Sequence, residues 1–480
     1  MKRAWRTPRV RSKQFGRAAG LFGAGLVLAF ACKSFQIDEN VYTGATSSRV
    51  GPSSSGSGSA LPGAGGSSSV AGSSASHGGA LASHAGSTSS EGAAPNAGAT
   101  AMGGASAELE PEIPDEPFSK AALLRQAADC AVARYADFEG HAQAFDAAAQ
   151  ANLDAPSDAS SLDVQHAWLA ANASWQVAEI FRFGPAARSA DQDPGAAELR
   201  DQIYAWRFGG RCPVETALAD RVYAAPNFAT SLINNRGLGA AEYLLFYPGT
   251  DNGCPEYSAI NLKGIWATLG PNEILDRKRA YAAAVAASIL SNAQKLVSAW
   301  DPAQGNFRKQ LTEPGSGSVY ANEQAALNAV FNGIFYIEKE VKDYKLGIAL
   351  GVSSECVSGL CPESLESQYA RVSTANIKQN YQGFRRLFQG CGGKFSGLGF
   401  DDWLGAVGSS DLRARMLSAL DSAQVAIDAL DPPIEVSITT HTDRVWAVYR
   451  ALKVLTDLLK SEFVTVLDLE LPAGAGSDND

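Results

Sequence analysis

FSKAALLRQAADCAVARYADFEGHAQAFDAAAQA, Phe118 to Ala151, keeps alanine and leucine at helical spacing over its whole length and admits neither proline nor a run of β-branched residues. Ser119 stands where an N-cap belongs, ahead of the first periodic position. The next stretch, SLDVQHAWLAANASWQVAEIFRFGP, repeats the pattern and is predicted to run to Gly184-Pro185. Five later stretches do the same: ILDRKRAYAAAVAASILSNAQKLVSAW, ANEQAALNAVFNGIFYIEKEVKDYKLG, TANIKQNYQGFRRLFQG, DLRARMLSALDSAQVAIDAL and THTDRVWAVYRALKVLTDLLKSEFVTVL. Alternating strand-like runs are scarce. The expectation is an all-α protein of two helical-bundle domains or halves, 115–262 and 263–472, followed by a flexible tail over 473–480. Phe208 to Asn235 and YPGTDNGCPEYS (Tyr247 to Ser258) read as long loops.

The folded part is preceded by something different. Residues 1–17 carry seven basic side chains and no acidic one, and AAGLFGAGLVLAFA then leads to Cys32. A basic stretch, a short apolar run and small residues before a cut describe a secretory leader, and the run is too short to cross a bilayer comfortably. A cysteine directly after the cut resembles the lipobox of bacterial lipoproteins, which would make 1–32 a lipoprotein signal peptide cleaved before Cys32. Ala29 replaces the usual leucine; the alternative is ordinary cleavage that leaves Cys32 a plain thiol. Residues 33–114 are dominated by Gly, Ser and Ala, cannot bury enough apolar surface to fold, and read as a disordered tether. Such a tether reaches on the order of 50 Å. The expected location is the cell envelope, on a bacterial membrane facing the periplasm or the exterior. Loss of the seven basic residues takes the formal net charge from −10 to −17, which argues against nucleic acid as a partner.

With Cys32 assigned to lipid, Cys130, Cys212, Cys254, Cys356, Cys361 and Cys391 remain. An even number in an exported chain favours disulfides, but six cysteines allow fifteen pairings. ECVSGLCPE suggests a local Cys356 to Cys361 loop, and pairing Cys212 with Cys254 would staple the ends of the segments flanking Glu242.

RGLGAAEYLLF, Arg236 to Phe246, places Leu238, Ala241, Glu242 and Leu245 on one helical stripe. A carboxylate buried there needs a partner, a proton or a ligand. A second stripe, Trp168, Ala171, Trp175, Ala178, Glu179 and Arg182, carries another. Inward carboxylates from facing helices are how bundles build metal sites, so Glu179, Arg182 and Glu242 form the candidate metal or ligand pocket. The competing reading neutralises each with arginine: Glu179 by Arg182, three residues on, and Glu242 by Arg236 or Arg182. There is no HExxH, GxSxG, P-loop or dinucleotide fingerprint, and His141, His166 and His441 have no Glu or His three or four residues away.

AWLAANASWQVAEIFRFGP, INNRGLGAAEYLLF, DYKLGIALG, NIKQNYQGFRRLFQG and LTDLLKSEFVTVLDLELP together resemble the imelysin family, also called the insulin-cleaving membrane protease or iron-regulated protein A family. The resemblance covers about Phe118 to Pro472. It implies an all-helical envelope protein linked to iron acquisition, with a peptidase assignment attached to some members. The family motif G-x-H-x-x-E, proposed to bind metal, falls on Gly237, Gly239 and Glu242. The histidine position is therefore glycine here. With the leader and Cys32, the resemblance and its departure at Gly239 give the expectation of a lipid-anchored, non-catalytic binding protein linked to iron acquisition, its cofactor unknown with Fe, Ca and Zn as candidates, and with a metal ion or an envelope protein as candidate partner. A metallopeptidase and a structural or partner-binding member with a dead site are the alternatives.

Overall fold

The computed structural model describes residues 116–205, 210–472 and 475. The expected leader, Cys32, the tether over 33–114 and nearly all of the tail lie outside the described residues. Those described contain helices and turns and no strand.

α1 (Lys120–Asp154) begins where Ser119 accepts the N–H of Ala122, so the cap satisfies a donor that a helix start leaves without a partner. α2 (Asp158–Ala178) begins with a reciprocal box between Ser157 and Ser160. Four short helices follow among 3₁₀ turns: α3 (Leu199–Ile203), α4 (Cys212–Ala219), α5 (Leu238–Phe246) and α6 (Ala259–Leu262). α7 (Pro271–Trp300) opens on proline, whose missing N–H costs nothing in a first turn. α8 (Phe307–Thr312) and α9 (Glu323–Ile334) lead into a π-helix over Ile337–Gly347. Then come α10 (Ser373–Gln389), α11 (Phe400–Ala406), α12 (Ser410–Asp428), α13 (Ile434–Thr440) and α14 (Thr442–Leu458), a second π-turn at Leu459–Phe463, and α15 (Val464–Leu467).

α1 lies along both α2 and α7, α2 packs against α10 and α5, and α14 packs against α12 and the π-helix. Gly383 explains how close α10 comes to α2: a Cβ there would sit 2.5 Å from the carbonyl oxygen of Val177. One continuous core runs from Leu123 to Leu469, with Trp168, Trp175 and Trp300 fully buried, so elements on both sides of position 262 share it. Disulfides join Cys130 on α1 to Cys391 beyond α10, Cys212 to Cys254, and Cys356 to Cys361. No helix among the described residues is long and apolar enough to cross a membrane.

Two local expectations need correction. α2 ends at Ala178, well before Gly184-Pro185, because Ile180, Phe181 and Phe183 turn into the core. There the Tyr135 hydroxyl takes the carbonyl of Phe181, a group that a continuing helix would have used internally. The expected loop from Phe208 to Asn235 contains α4, which forms because Val214, Ala217 and Leu218 give it a buried face.

Candidate functional site

The chain enters α5 through Gly237, whose φ is +85°, and a Cβ at this position would lie 2.6 Å from the carbonyl oxygen of Ile203. Only glycine fits both the dihedral and the space. α5 then docks on α2: the indole N–H of Trp168 donates to the Leu238 carbonyl at 3.1 Å, and the rings of Trp168 and Phe246 meet edge to face. Leu238, Ala241 and Glu242 are buried, and Leu245 is half-buried. A cavity of about 310 Å³ opens beside α5, lined by Arg236, Gly239, Glu242 and Tyr243 from this segment and by Glu366 and Tyr369 from the loop before α10.

Glu242 is 5% exposed, and its Oε1 accepts the backbone N–H groups of Tyr369 and Ala370, each at 3.0 Å. Neither Arg236 nor Arg182 pairs with it, against the expectation of an arginine. Its Oε2 has no hydrogen-bond partner among the described residues. Burial pushes the carboxyl up to about 8; the two amides pull it down, and the nearby carboxylates of Glu366 and Glu435 push it further up. At neutral pH Glu242 is therefore mostly a neutral acid on the cavity wall.

Glu179, the C-cap of α2, lies in a different environment. Its Oε1 accepts from the Tyr336 hydroxyl at 2.5 Å, Asn380 Nδ2 at 3.0 Å and Lys345 Nζ at 3.4 Å, and its Oε2 faces Arg200 at 3.4 Å. Lys345 also reaches Glu366, Gln176 and Asn380, each at 2.7 Å. Glu366 in turn accepts from the Tyr204 hydroxyl at 2.5 Å and Asn376 Nδ2 at 2.9 Å. The expected pair of Glu179 with Arg182 is absent. Arg182 points along the π-helix to Glu340 at 3.2 Å, because the chain has already left helical geometry at Glu179 and no longer places the two on one face. Burial pushes Glu340 up, but the guanidinium groups of Arg200, Arg182 and Arg188 outweigh it and hold the carboxyl below its usual range. Glu179, Glu340 and Glu366 thus face Lys345, Arg200 and Arg182 in a buried network of balanced charge.

Of the three residues expected to make a pocket, only Glu242 lines the cavity; Glu179 and Arg182 belong to the network behind it. The residues present do not fit a protein-held metal ion. No group of three His, Cys, Asp or Glu side chains among the described residues is placed to hold one. At Gly239, where the resemblance would put an imidazole, a Cβ meets no atom within 4 Å, so a side chain has room and is simply missing.

Sequence reasoning missed Lys345, Glu366, Arg200, Tyr336 and Asn380. One signal was present: Lys345 stands in the otherwise apolar KLGIAL, a charge where periodicity wants none. It also lies in a π-helix, a widened turn often found where a helix serves a site. A larger cavity of about 480 Å³ between Asp193, Tyr320 and Pro472 offers less chemistry, since Asp193 is satisfied by the N–H groups of Gly184 and Gly195 and the hydroxyl of Tyr320.

The family model described as imelysin matches residues 131–461. The chain is similar to a protein from Parabacteroides distasonis described as an iron-regulated protein A precursor, with TM-score 0.55 and 20% identity, covering 72% of this chain and 96% of that one. It is also similar to an imelysin-like protein from Psychrobacter arcticum, with TM-score 0.52 and 15% identity, covering 74% and 98%. No curated protein matches the chain.

Proposed function

The chain belongs to the imelysin family, and we propose on that premise that it is a non-catalytic binding protein of the cell envelope, held to a bacterial membrane by lipid on Cys32 and linked to iron acquisition. The observation that carries the reading is the wall of the 310 Å³ cavity: Glu242 keeps the motif's carboxyl, while position 239 is an open glycine. A hydrolytic zinc site needs three protein ligands and an open position for water, and this wall offers no such set. A purely structural member would close Glu242 with arginine and leave no cavity. Here the carboxyl is held by two amides and lines open space. The link to iron rests on the name of the Parabacteroides relative and on the tethered, exported design read from the first 114 residues.

Fractionation and a cleavage assay test this reading. Wild type is expected with the membranes, Cys32→Ser is expected to be released, and denatured protein substrates are expected to show no chelator-sensitive products. Release of wild type without detergent would remove the anchor, and chelator-sensitive cleavage would make the protein a peptidase instead.

A further inference from the structure

One charge in the cavity wall has no counter-ion among the described residues. Arg236 is 5% exposed, and its Nε donates to the Ser231 carbonyl at 2.9 Å. Among the described residues its buried NH1 has no partner, and no carboxylate pairs with the guanidinium. Burial of a charge without a counter-ion is among the most unfavourable arrangements a fold can contain. Two other described cations nearby are committed: Arg211 to Glu215 and Asp251, Lys345 to Glu366 and Glu179.

Two residues beyond Arg236 the nine-residue helix α5 begins, with no side chain capping it. The first backbone bond into the helix is from Ala241 to the Gly237 carbonyl, so the N–H groups of Leu238, Gly239 and Ala240 find no acceptor among the described residues. Such a terminus carries partial positive charge and favours anions. Gly239 and Ala240 line the same cavity as Arg236, and the missing side chain at 239 leaves the approach open.

We propose that this cavity binds the anionic group of a small organic acid, with the carboxylate held by the Arg236 guanidinium and the N-terminal amides of α5. This rests on the binding-protein reading above and names the class of ligand. A planar guanidinium offers paired N–H donors that match a carboxylate. The wall's own carboxyls leave that role to the ligand. Glu366 is engaged by Lys345 and Tyr204, Glu355 has a partner of its own, Glu363 is exposed at the rim, and Glu242 is held by two amides. A volume of about 310 Å³ suits a small acid rather than a peptide. The acid can arrive free or chelating iron, and the two are distinguished by the probe.

The test is calorimetric titration of the purified protein with citrate, ferric citrate and, as a neutral control, xylitol. Saturable binding of citrate or ferric citrate is expected, with ferric citrate binding more tightly if the chelate is the cargo. Arg236→Gln is expected to weaken binding by about tenfold or more. Because Arg236→Gln can perturb the fold, Gly239→Phe provides a second arm: it fills the cavity without removing a charge, replaces a poor helix former, and is expected to abolish binding while the thermal transition stays intact. Citrate binding unaffected by both variants overturns the proposal. Saturation by xylitol or by bare Fe³⁺ in place of the acids also overturns it, and leaves the binding-protein reading standing. No saturable binding of any probe overturns both.

Discussion

Two buried glutamates of similar exposure, Glu179 and Glu242, are treated in opposite ways by the same core. Glu179 is surrounded by Tyr336, Asn380, Lys345 and Arg200, so its charge is matched and its lone pairs are used. Among the described residues Glu242 receives two backbone N–H groups on one oxygen and no cation, and its carboxyl is raised to about 8. The first arrangement fixes how α2, the π-helix and α10 meet. The second is tolerated because one side of it is cavity, and a carboxyl that can keep its proton avoids most of the penalty of burial. Burial alone therefore does not mark a functional carboxylate; missing compensation does.

The largest expected effect tests the compensated side. Glu179→Ala leaves Lys345 and Arg200 buried beside an excess of positive charge and is expected to lose about 3–5 kcal/mol in urea unfolding. A loss below about 1 kcal/mol would mean the network contributes little and would break the contrast. Next comes Glu242→Gln, which keeps the acceptor for Tyr369 and Ala370 but cannot ionise. Because the folded carboxyl titrates near 8 and the unfolded one near 4.5, the folded state binds the extra proton between these values. The stability that Glu242 contributes is therefore full below about pH 4.5 and is lost as pH rises towards 8. The glutamine variant should lack that decline, ending on the order of 4 kcal/mol ahead at pH 8 and level at pH 4.5. Parallel pH profiles for the two proteins would refute the raised carboxyl.

Smaller effects sharpen the same comparison. Gly239→His has room for its side chain and replaces glycine in a helix, so it should add roughly 0.5 kcal/mol of stability. It should also gain a thermal shift with Zn²⁺ that wild type lacks; an equal shift in wild type would make Glu242 a metal ligand without the imidazole. The smallest change is expected at the surface. Arg415→Ala removes exposed pairs with Asp411 and Glu462 and should leave the urea unfolding midpoint nearly unchanged, against the much larger loss at Glu179.

Much of the fold was legible before any coordinates, for reasons visible in single residues. Ser119 caps α1 because a hydroxyl before an apolar-periodic run has a defined role, and the alanine-rich stripes of α1 and α2 have one face to bury. The early end of α2 was not legible, because Ile180, Phe181 and Phe183 are as compatible with a helix as with the turn that Tyr135 stabilises from another element. The candidate site was half legible. Glu242 stood out as a charge in an apolar stripe, and Gly237 and Gly239 through the family's motif. Arg236 reads from the sequence only as a neutraliser of Glu242, and nothing local marks Glu366 or Lys345, since Gln176, which binds Lys345, and Tyr204, which binds Glu366, lie more than a hundred positions away.

By itself, then, the sequence determined the all-α class, the start of α1, the family and the position of the odd carboxylates, because periodicity, capping and motif spacing are local properties of the chain. Which carboxylate is neutralised, which one faces a cavity, and which guanidinium has no counter-ion among the described residues were decided only by the tertiary structure. Charge compensation depends on distances between residues far apart in the chain, and no local pattern encodes those distances.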